Sequence, residues 1–417
     1  MKVEYTLTGV TSPVDVAVEA FNGATQLDSA NLDAAIAGDR FGIAESGAYS
    51  FLIDPVKAFG TDKIALGDFR VRLSLSVSPA NSSEVLYKVF DMATGALEKN
   101  ITRADLLNRK YGEVETDFSK IGDGFATSLD DVIVWTGVTN YPGAKTTKLV
   151  MRKIPVGGKS CTIGSTATSE TGYASAQELY PRTTVEMPED YWMGVFEMTV
   201  GQCLSVMSSW SSKVAFTNET CYDERPMQAV TYTNIRANEN DVGSGNFLSM
   251  WISRTGLSGW NLPTTNEWEV ACRAGTVTGL NSGKNLTKTS ASCDNANAIS
   301  RNAYNGGGDC GVTASFPRDA FHISNFENRN VGAEGGPAPV GSYAPNAYGL
   351  YDMSGNILER TLDVTYNTAG TAISGNFARG GSFAQSNNRL RSSYWSRISA
   401  TDNYVNFGFR LLLKLAE

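Results

Sequence analysis

The chain has 417 residues, 41% hydrophobic and 19% charged, which is enough for about two or three domains with their own cores. The net charge of -8 argues against a nucleic-acid partner, and no run approaches the about 18 apolar residues of a membrane span. The six cysteines show no CxxC spacing, which argues against zinc. Cys293 with Cys310 and Cys203 with Cys221 are candidate disulfides, and buried free thiols are the alternative.

The N-terminal part of the chain has the alternating pattern of β-strands. Apolar and polar residues alternate over Lys2–Thr8 and again over Phe69–Val77, which predicts strands with one buried face. Val85–Phe90 and Val132–Trp135 are shorter strand candidates bounded by turn residues. Short strands separated by turns are typical of a sandwich. We therefore predict an all-β, immunoglobulin-like sandwich over residues 1–147, serving as a spacer or attachment domain.

The pattern changes to α+β after a linker. The segment Thr139–Thr147 contains a Pro-Gly pair and is the best candidate for that linker. Beyond it, Thr199–Met207, Phe247–Ile252 and Thr264–Cys272 have the apolar spacing of short helices. The first and third begin with a Thr followed three residues later by Gln or Glu, which is the capping-box pattern. We therefore predict a second domain, of α+β type, over residues 148–417.

Several short motifs follow one another along this second domain. In chain order they are Tyr191–Gly194 with Glu197–Thr199, Arg225-Pro226 with Val230, Leu262–Trp268, Val340–Ser342, Asn346–Glu359, Arg379–Phe383 and Gly408–Leu411. Together they resemble the motifs of the sulfatase-modifying-factor family, the formylglycine-generating-enzyme branch of the C-type lectin fold. The resemblance covers roughly residues 148–414 and implies a C-type lectin fold of the formylglycine-generating-enzyme type.

The resemblance implies that this copy lacks the family's chemistry. In the oxidase branch a reactive cysteine pair follows the Gly-Gly-Ser-aromatic motif and carries out a copper-assisted oxidation. Here the matching positions hold Gln385 and, approximately, Leu390, and thiolate chemistry needs sulfur. The iron-dependent branch needs several histidines, whereas this chain has a single one, His322. We therefore expect neither copper nor iron, and no enzymatic reaction.

The resemblance also implies a structural calcium ion. Its ligands would be the side chains of Asp352 and Glu359 and the backbone carbonyl groups of Gly355 and Ile357. Carboxylate and carbonyl oxygens are the donors that Ca²⁺ prefers. Family members usually follow the glutamate with Trp, whereas Arg360 stands here and brings a cation beside the site. The alternative is that the two acids only cap turns in the loop.

Residues 384–407, which we call the contact segment, have the composition of a binding surface. The segment is rich in Ser, Asn, Arg, Tyr and Trp and lacks Lys, Glu and Met. It resembles the variable region of proteins that diversity-generating retroelements mutate at adenines. Under that mechanism Gln385 and Trp395 must be invariant, because AAC-type codons cannot reach them. A polar loop whose Asn and Ser residues only form turns is the alternative.

The predicted ligand contacts are the polar and aromatic side chains of this segment. They are Ser386, Asn387, Asn388, Ser393, Tyr394, Trp395, Ser396, Asn403, Tyr404, Asn406 and Phe407. We expect a non-catalytic protein that binds a protein or glycan ligand on a cell surface, as a component of a bacterial surface or a phage virion. An enzyme with an unrecognised active site on the same fold and a structural module of a surface assembly are the alternatives.

Overall fold

A computed structural model describes residues 1–60, 65–116, 133–166, 182–208, 210, 222–289, 291–305, 336–366 and 373–415. The chain divides into two compact units. The first consists of Met1–Tyr87, Asn100–Glu115 and Trp135–Tyr141, and the second of Lys88–Lys99, Thr116–Val134 and Pro142–Glu417. The second unit thus begins near the predicted linker, but it also includes a piece of the predicted sandwich.

The first unit contains two antiparallel three-stranded sheets. Its elements are β1 Lys2–Leu7, β2 Val14–Asn22, β3 Thr25–Gln26, α1 Ser29–Ala35, β4 Ile36–Gly38, β5 Gly47–Ile53, α2 Pro55–Phe59, β6 Phe69–Val77 and α3 Arg103–Leu107. The sheets have the orders β1-β5-β4 and β3-β2-β6. Ala20 of β2 and Phe51 of β5 are buried in one shared core, and Val71 of β6 packs against it. This is the sandwich that the alternation predicts.

The second unit is α+β. The strands β7 Val85–Asp91 and β8 Leu97–Thr102 each belong partly to the first unit and partly to the second. The other strands of the second unit are β9 Lys148–Ile154, β10 Lys159–Ile163, β11 Thr183–Met187, β12 Tyr191–Gly194, β13 Trp260–Asn261, β14 Leu358–Tyr366, β15 Ile373–Arg379, β16 Trp395–Ile398, β17 Phe407–Phe409 and β18 Leu412–Leu413. Its helices are α4 Val200–Val206, α5 Tyr232–Ile235, α6 Phe247–Thr255, α7 Thr265–Arg273 and α8 Asp294–Asn297. None of the described helices is both long and apolar enough to cross a membrane.

Two predicted strands of the N-terminal part need correction. Val85–Phe90 does form a strand, but this strand belongs to a six-stranded sheet with the order β13-β18-β12-β9-β7-β8 and not to the sandwich. Ile133–Trp135 forms no strand and has only one isolated bridge residue, while Val132 lies outside the described residues. Strand alternation is a local signal that does not say which sheet a strand joins, and this explains the first error.

The predicted helices are confirmed as α4, α6 and α7. Capping boxes are present at Thr199 and at Thr264, where the side chain accepts from the third helical N–H and the Gln or Glu side chain accepts from the cap N–H. Helix α7 ends at Arg273, and Ala274 follows it in the left-handed conformation at φ 46°. The inner face of α7 buries Trp268, and this fixes the helix beneath the C-terminal strands.

A second sheet carries the contact segment. It has the order β16-β15-β14-β17, in which β14 and β17 run parallel while β15 is antiparallel to β14 and to β16. The register pairs Glu359 with Gly408 and Arg379 with Trp395. The family motif residues Glu359, Arg379 and Arg410 are therefore brought together from three separate stretches of the chain.

The capping box of α7 gives a test of the fold. We predict that Thr264→Ala lowers the free energy of unfolding by about 1 kcal/mol, because Glu267 N–H then loses its acceptor. Urea denaturation followed by circular dichroism measures the change. Thr265→Ala is the matched control and should have almost no effect. Equal losses in the two variants would contradict the capping role.

Candidate functional site

A buried ion pair lies beneath the C-terminal sheet. The Arg410 guanidinium is fully buried, and its Nη2 lies 2.7 Å from Oε1 of Glu359. Arg410 Nε donates to both oxygens of Glu359 at 3.1 Å, and Trp268 Nε1 donates to Oε2 at 2.7 Å. Arg410 also donates hydrogen bonds to the carbonyl oxygens of Gly194, Val195 and Tyr351. Both members of the pair therefore have well-formed partners, which a buried ion pair needs.

Two more buried acids lie close to this pair. Glu197 accepts hydrogen bonds from Asn356 Nδ2 at 2.6 Å and from Ile357 N–H at 2.9 Å, and burial raises its pKa well above the usual range. Asp352 accepts from Gly341 N–H at 2.7 Å, while its Oδ1 has no hydrogen-bond partner among the described residues. Burial raises the pKa of Asp352 to about 6.

The predicted calcium ligands do not fit a cation. Both carboxylate oxygens of Glu359 already accept hydrogen bonds from Arg410 and Trp268, so Glu359 could ligate a cation only if these bonds broke. Gly355 has φ 77°, and a Cβ there would lie 2.3 Å from a backbone oxygen, so its role is to allow a close backbone approach. Asp352 and Ile357 face this same network through their contacts with Gly341 and Glu197. Across the described residues no group of three or more His, Cys, Asp or Glu is arranged to hold a metal ion.

Arg360 has a different role from the one that the sequence suggests. Its fully buried guanidinium donates to the backbone oxygens of Val230 at 2.6 Å and Asp402 at 2.5 Å, and also to the side chain of Asn376. Burial lowers its pKa to about 9. Because Asp402 belongs to the contact segment, Arg360 holds that segment against β14.

Arg379 holds the middle of the same segment. Its Nη1 donates to the backbone oxygens of Ser393 at 2.9 Å and Tyr394 at 3.3 Å, and its Nη2 lies 3.1 Å from Oε2 of Glu269. Arg360 and Arg379 thus fix the backbone of the contact segment from below, through carbonyl oxygens that are independent of side-chain identity.

The predicted ligand contacts separate into two groups. An inner set is buried: Asn387, Ser393, Tyr394, Ser396, Asn406 and Phe407. Four of the remaining predicted residues are half-buried: Ser386, Asn388, Trp395 and Tyr404. The fifth, Asn403, is exposed. A side chain packed inside the unit cannot contact an external ligand, so the inner set is removed from the predicted surface.

Long-range packing explains why the inner set is buried. Asn387 Nδ2 donates to the backbone oxygens of Lys288 at 3.0 Å and Ala291 at 2.6 Å. The Tyr394 hydroxyl lies 2.7 Å from Ser396 Oγ, and both side chains are buried. Phe407 packs in a cluster with other residues of β14, β15 and β16. Polar composition alone does not reveal these partners, which come from distant parts of the chain.

Two arginines of the contact segment were missed as surface residues. Arg397 is exposed and Arg389 is half-buried. On β16 the burial alternates, with Ser396 and Ile398 inside and Trp395 and Arg397 outside. Hydropathy does not show this alternation, because the apolar Trp395 lies outside and the polar Ser396 inside. The outer set therefore consists of Ser386, Asn388, Arg389, Trp395, Arg397, Asn403 and Tyr404.

The positions matched to the family's cysteine pair are buried. Gln385 is 2% exposed, and Leu390 packs in an apolar cluster that also contains Cys293. Burial raises the pKa of Cys203 well above the usual range and that of Cys272 to about 12, so both stay as thiols. The pKa of Cys293 is lowered, because hydrogen bonds around the thiol outweigh its desolvation. All the described cysteines are free, while the proposed disulfide partners Cys221 and Cys310 lie outside the described residues.

The buried Asp352 predicts a pH-dependent stability. Its pKa is about 6 in the folded state against an ordinary 3.8, so the folded protein binds the proton more tightly and stability falls as the pH rises between these values. Asp352→Asn should remove this loss. The variant should match the wild type near pH 4 and exceed it by about 3 kcal/mol at pH 7, from urea titrations at each pH. The exposed Glu45→Gln is the control, and an unchanged slope in Asp352→Asn would contradict the assignment.

The division of the contact segment also predicts two different outcomes for tyrosine substitutions. Tyr394 is 2% exposed, so Tyr394→Ala should lower the free energy of unfolding by about 3 kcal/mol or more. Tyr404 is only half-buried, so Tyr404→Ala should cost about 1 kcal/mol or less. Chemical denaturation measures both. A small loss for Tyr394→Ala would return Tyr394 to the ligand surface.

Comparisons with known proteins agree with this architecture. A family model described as a sulfatase-modifying factor enzyme 1-like domain matches residues 144–415. The chaperone protein LppX of Paenibacillus barcinonensis is 26% identical over 250 residues, 54% of this chain and 80% of that protein.

Solved structures with similarity include Treponema denticola variable protein 1 and PvdO from Pseudomonas aeruginosa. The first is 19% identical with a TM-score of 0.44 and covers 64% of this chain and 96% of that chain. The second is 18% identical with a TM-score of 0.43 and covers 64% of this chain and 94% of that chain. The family model spans more than half of the sequence and includes the buried Arg410–Glu359 pair. The chain therefore belongs to the sulfatase-modifying factor family.

Proposed function

We propose that the second unit is a non-catalytic binding module that presents the outer set of the contact segment to a ligand. One observation carries the proposal: within residues 384–407 buried and outward-facing side chains are separated, while buried arginines hold the backbone. A backbone fixed through carbonyl oxygens tolerates exchange of the outward side chains. This is the arrangement that a recognition surface needs.

The chemistry of the outer set suits recognition. Trp395 and Tyr404 offer aromatic area at low entropic cost, while Arg397 and Asn403 offer adaptable hydrogen bonds. The half-buried state of most of these side chains limits the rotamer freedom that binding would remove. We propose that the ligand is a protein or a glycan on a cell surface, and that this protein belongs to a bacterial surface or a phage virion.

The absence of a reactive thiol supports a binding role over the family's oxidation. Gln385 and Leu390 carry no sulfur at the matched positions, and Leu390 is enclosed by apolar side chains. An amide and an alkyl group cannot form the thiolate that the family's oxidation uses. The known chemistry of the family therefore has no nucleophile at this place.

We further propose that retroelement mutagenesis diversifies the outer set with the exception of Trp395. Asn388, Asn403 and Tyr404 are outward-facing residues of the types that adenine mutagenesis changes. Asn387 and Asn406 have the same residue type but are buried, and most changes there would leave partners unsatisfied. Diversification should therefore be confined to the outward positions. This set of positions is smaller than the one that the sequence suggested.

Two displayed libraries of the full chain test the proposal. The first library randomises four outer positions: Asn388, Arg397, Asn403 and Tyr404. The second library randomises four inner positions: Asn387, Ser393, Tyr394 and Phe407. We expect most members of the first library to fold, measured by protease resistance on the cell surface, and most of the second to be cleaved. Equal tolerance in the two libraries would contradict the proposal.

A genomic observation tests the diversification separately. A second copy of the codons for residues 380–410, differing only at adenines and lying beside a reverse-transcriptase gene, is expected. The differences should fall on codons of the outer set and spare Trp395 and Gln385. Differences concentrated on inner codons, or no such copy in the complete genome of the source, would contradict it.

A further inference from the structure

One face of the sheet that carries the contact segment combines aromatic, hydroxyl and guanidinium groups. We call it the aromatic–arginine face, and it consists of Thr365, Ser374, Phe377, Trp395 and Arg397. Phe377 of β15 lies opposite Arg397 of β16 in the register, so the two side chains share a face. The rings of Phe377 and Trp395 meet edge-to-face with centroids 5.1 Å apart and an interplanar angle of 71°.

A β-bulge brings two hydroxyl groups to the guanidinium. The pairing of β14 and β15 shifts register between Thr365 and Tyr366, which places Ser374 Oγ 3.2 Å from Thr365 Oγ1. Arg397 Nε donates to Thr365 Oγ1 at 3.2 Å, and its Nη2 donates to Ser374 Oγ at 3.3 Å. Bulges often re-aim side chains next to functional sites.

The lack of a side chain at Gly375 leaves space on the sheet for the Arg397 guanidinium. Gly375 pairs with Thr365, and a Cβ at this position would lie 2.7 Å from the Ile398 carbonyl oxygen and 3.6 Å from Arg397 Nε. Without a side chain there, Arg397 can lie across the sheet instead of extending into solvent. The guanidinium is therefore positioned before any ligand arrives, which lowers the entropic cost of binding.

The guanidinium has only neutral partners within the described part of the chain. No described carboxylate lies within ion-pair distance of Arg397, in contrast to Arg379 and Arg410, which are both paired with glutamates. Residues 367–372, which connect β14 to β15, contain no Asp or Glu. Arg397 keeps donors for an external anion, and an arginine recognises a carboxylate with two parallel hydrogen bonds.

We propose that the aromatic–arginine face binds a carboxylate-bearing sugar of a surface glycan, which gives the ligand class of the proposed binding function and depends on it. The carboxylate pairs with Arg397, the apolar side of the sugar ring packs on Trp395 and Phe377, and sugar hydroxyls exchange hydrogen bonds with Thr365 and Ser374. Trp395 has a codon without adenine, so retroelement mutagenesis would preserve this aromatic contact while neighbouring outer residues vary.

A sugar fits this face better than an acidic peptide does. An extended peptide gains affinity from main-chain hydrogen bonds to an open strand edge, whereas the ligand-facing groups here are side chains standing on a sheet face. A pyranose ring presents the mixture that these groups match: an apolar side, several hydroxyls and one charge. The acidic peptide is therefore an outcome of the test that would overturn the proposal.

Titration calorimetry of the full chain with defined probes tests the proposal. The probes are trigalacturonic acid, N-acetylneuraminic acid, neutral galactotriose and a hexaglutamate peptide, at 50 mM and at 300 mM salt. We expect at least one acidic sugar to bind at least tenfold more tightly than galactotriose, and more weakly at the higher salt concentration. Arg397→Gln and Trp395→Ala should each weaken that binding at least tenfold.

Two further variants separate positioning from unspecific charge effects. Thr365→Val with Ser374→Ala should weaken binding threefold to tenfold, because Arg397 then loses the hydroxyl groups that orient it. Arg70→Gln, which removes another exposed positive charge, in the first unit, should leave binding unchanged.

Three results would overturn the proposal: no binding of either acidic sugar, equal binding of hexaglutamate, or undiminished binding by Arg397→Gln. The displayed libraries report on the outer set without any sugar. Tolerance of outer substitutions with failure of the sugars would therefore reject the ligand class and leave the proposed function standing.

Discussion

The second unit depends on the burial of three arginines beneath its C-terminal sheet. Arg410 is paired with Glu359, Arg379 with Glu269, and Arg360 is surrounded by backbone and amide oxygens. A buried guanidinium is stable only when most of its donors have acceptors, so each arginine fixes the backbone around it. The contact segment lies on two of these arginines. We infer that the contact segment is rigid because these buried guanidinium groups hold its backbone.

This arrangement separates buried from outward-facing side chains within a single stretch of sequence. Neighbouring residues such as Ser396 and Arg397 face opposite sides of β16, one into the unit and the other into solvent. Inner side chains such as Asn387 contact distant parts of the chain, whereas the outer side chains are half-buried or exposed. We propose that this scaffold offers a surface that can change without loss of the fold.

Local signals explain how much the sequence could predict. The capping boxes at Thr199 and Thr264 and the strand Phe69–Val77 depend on residues a few positions apart, and they were confirmed. The predicted buried face of that strand is only partly correct, because Leu75 and Val77 at its end are exposed. The family motifs predicted the C-type lectin fold, and they border the contact segment. The partners of Asn387 lie almost a hundred residues away, and no local pattern indicates them. The same is true of Glu359, whose hydrogen-bond partner Arg410 lies 51 residues away in the chain.

Amide hydrogen exchange measures the central claim most directly, because it reports whether the contact segment is part of the rigid core. The amides of Leu390, Tyr394 and Phe407 in this segment all donate backbone hydrogen bonds. The account predicts that they exchange only through global unfolding, with the same free energy as the buried Val195, whose amide donates to Val150 outside the contact segment. Exchange through local openings of a few kcal/mol, while Val195 remains protected, would show a mobile loop and contradict the account.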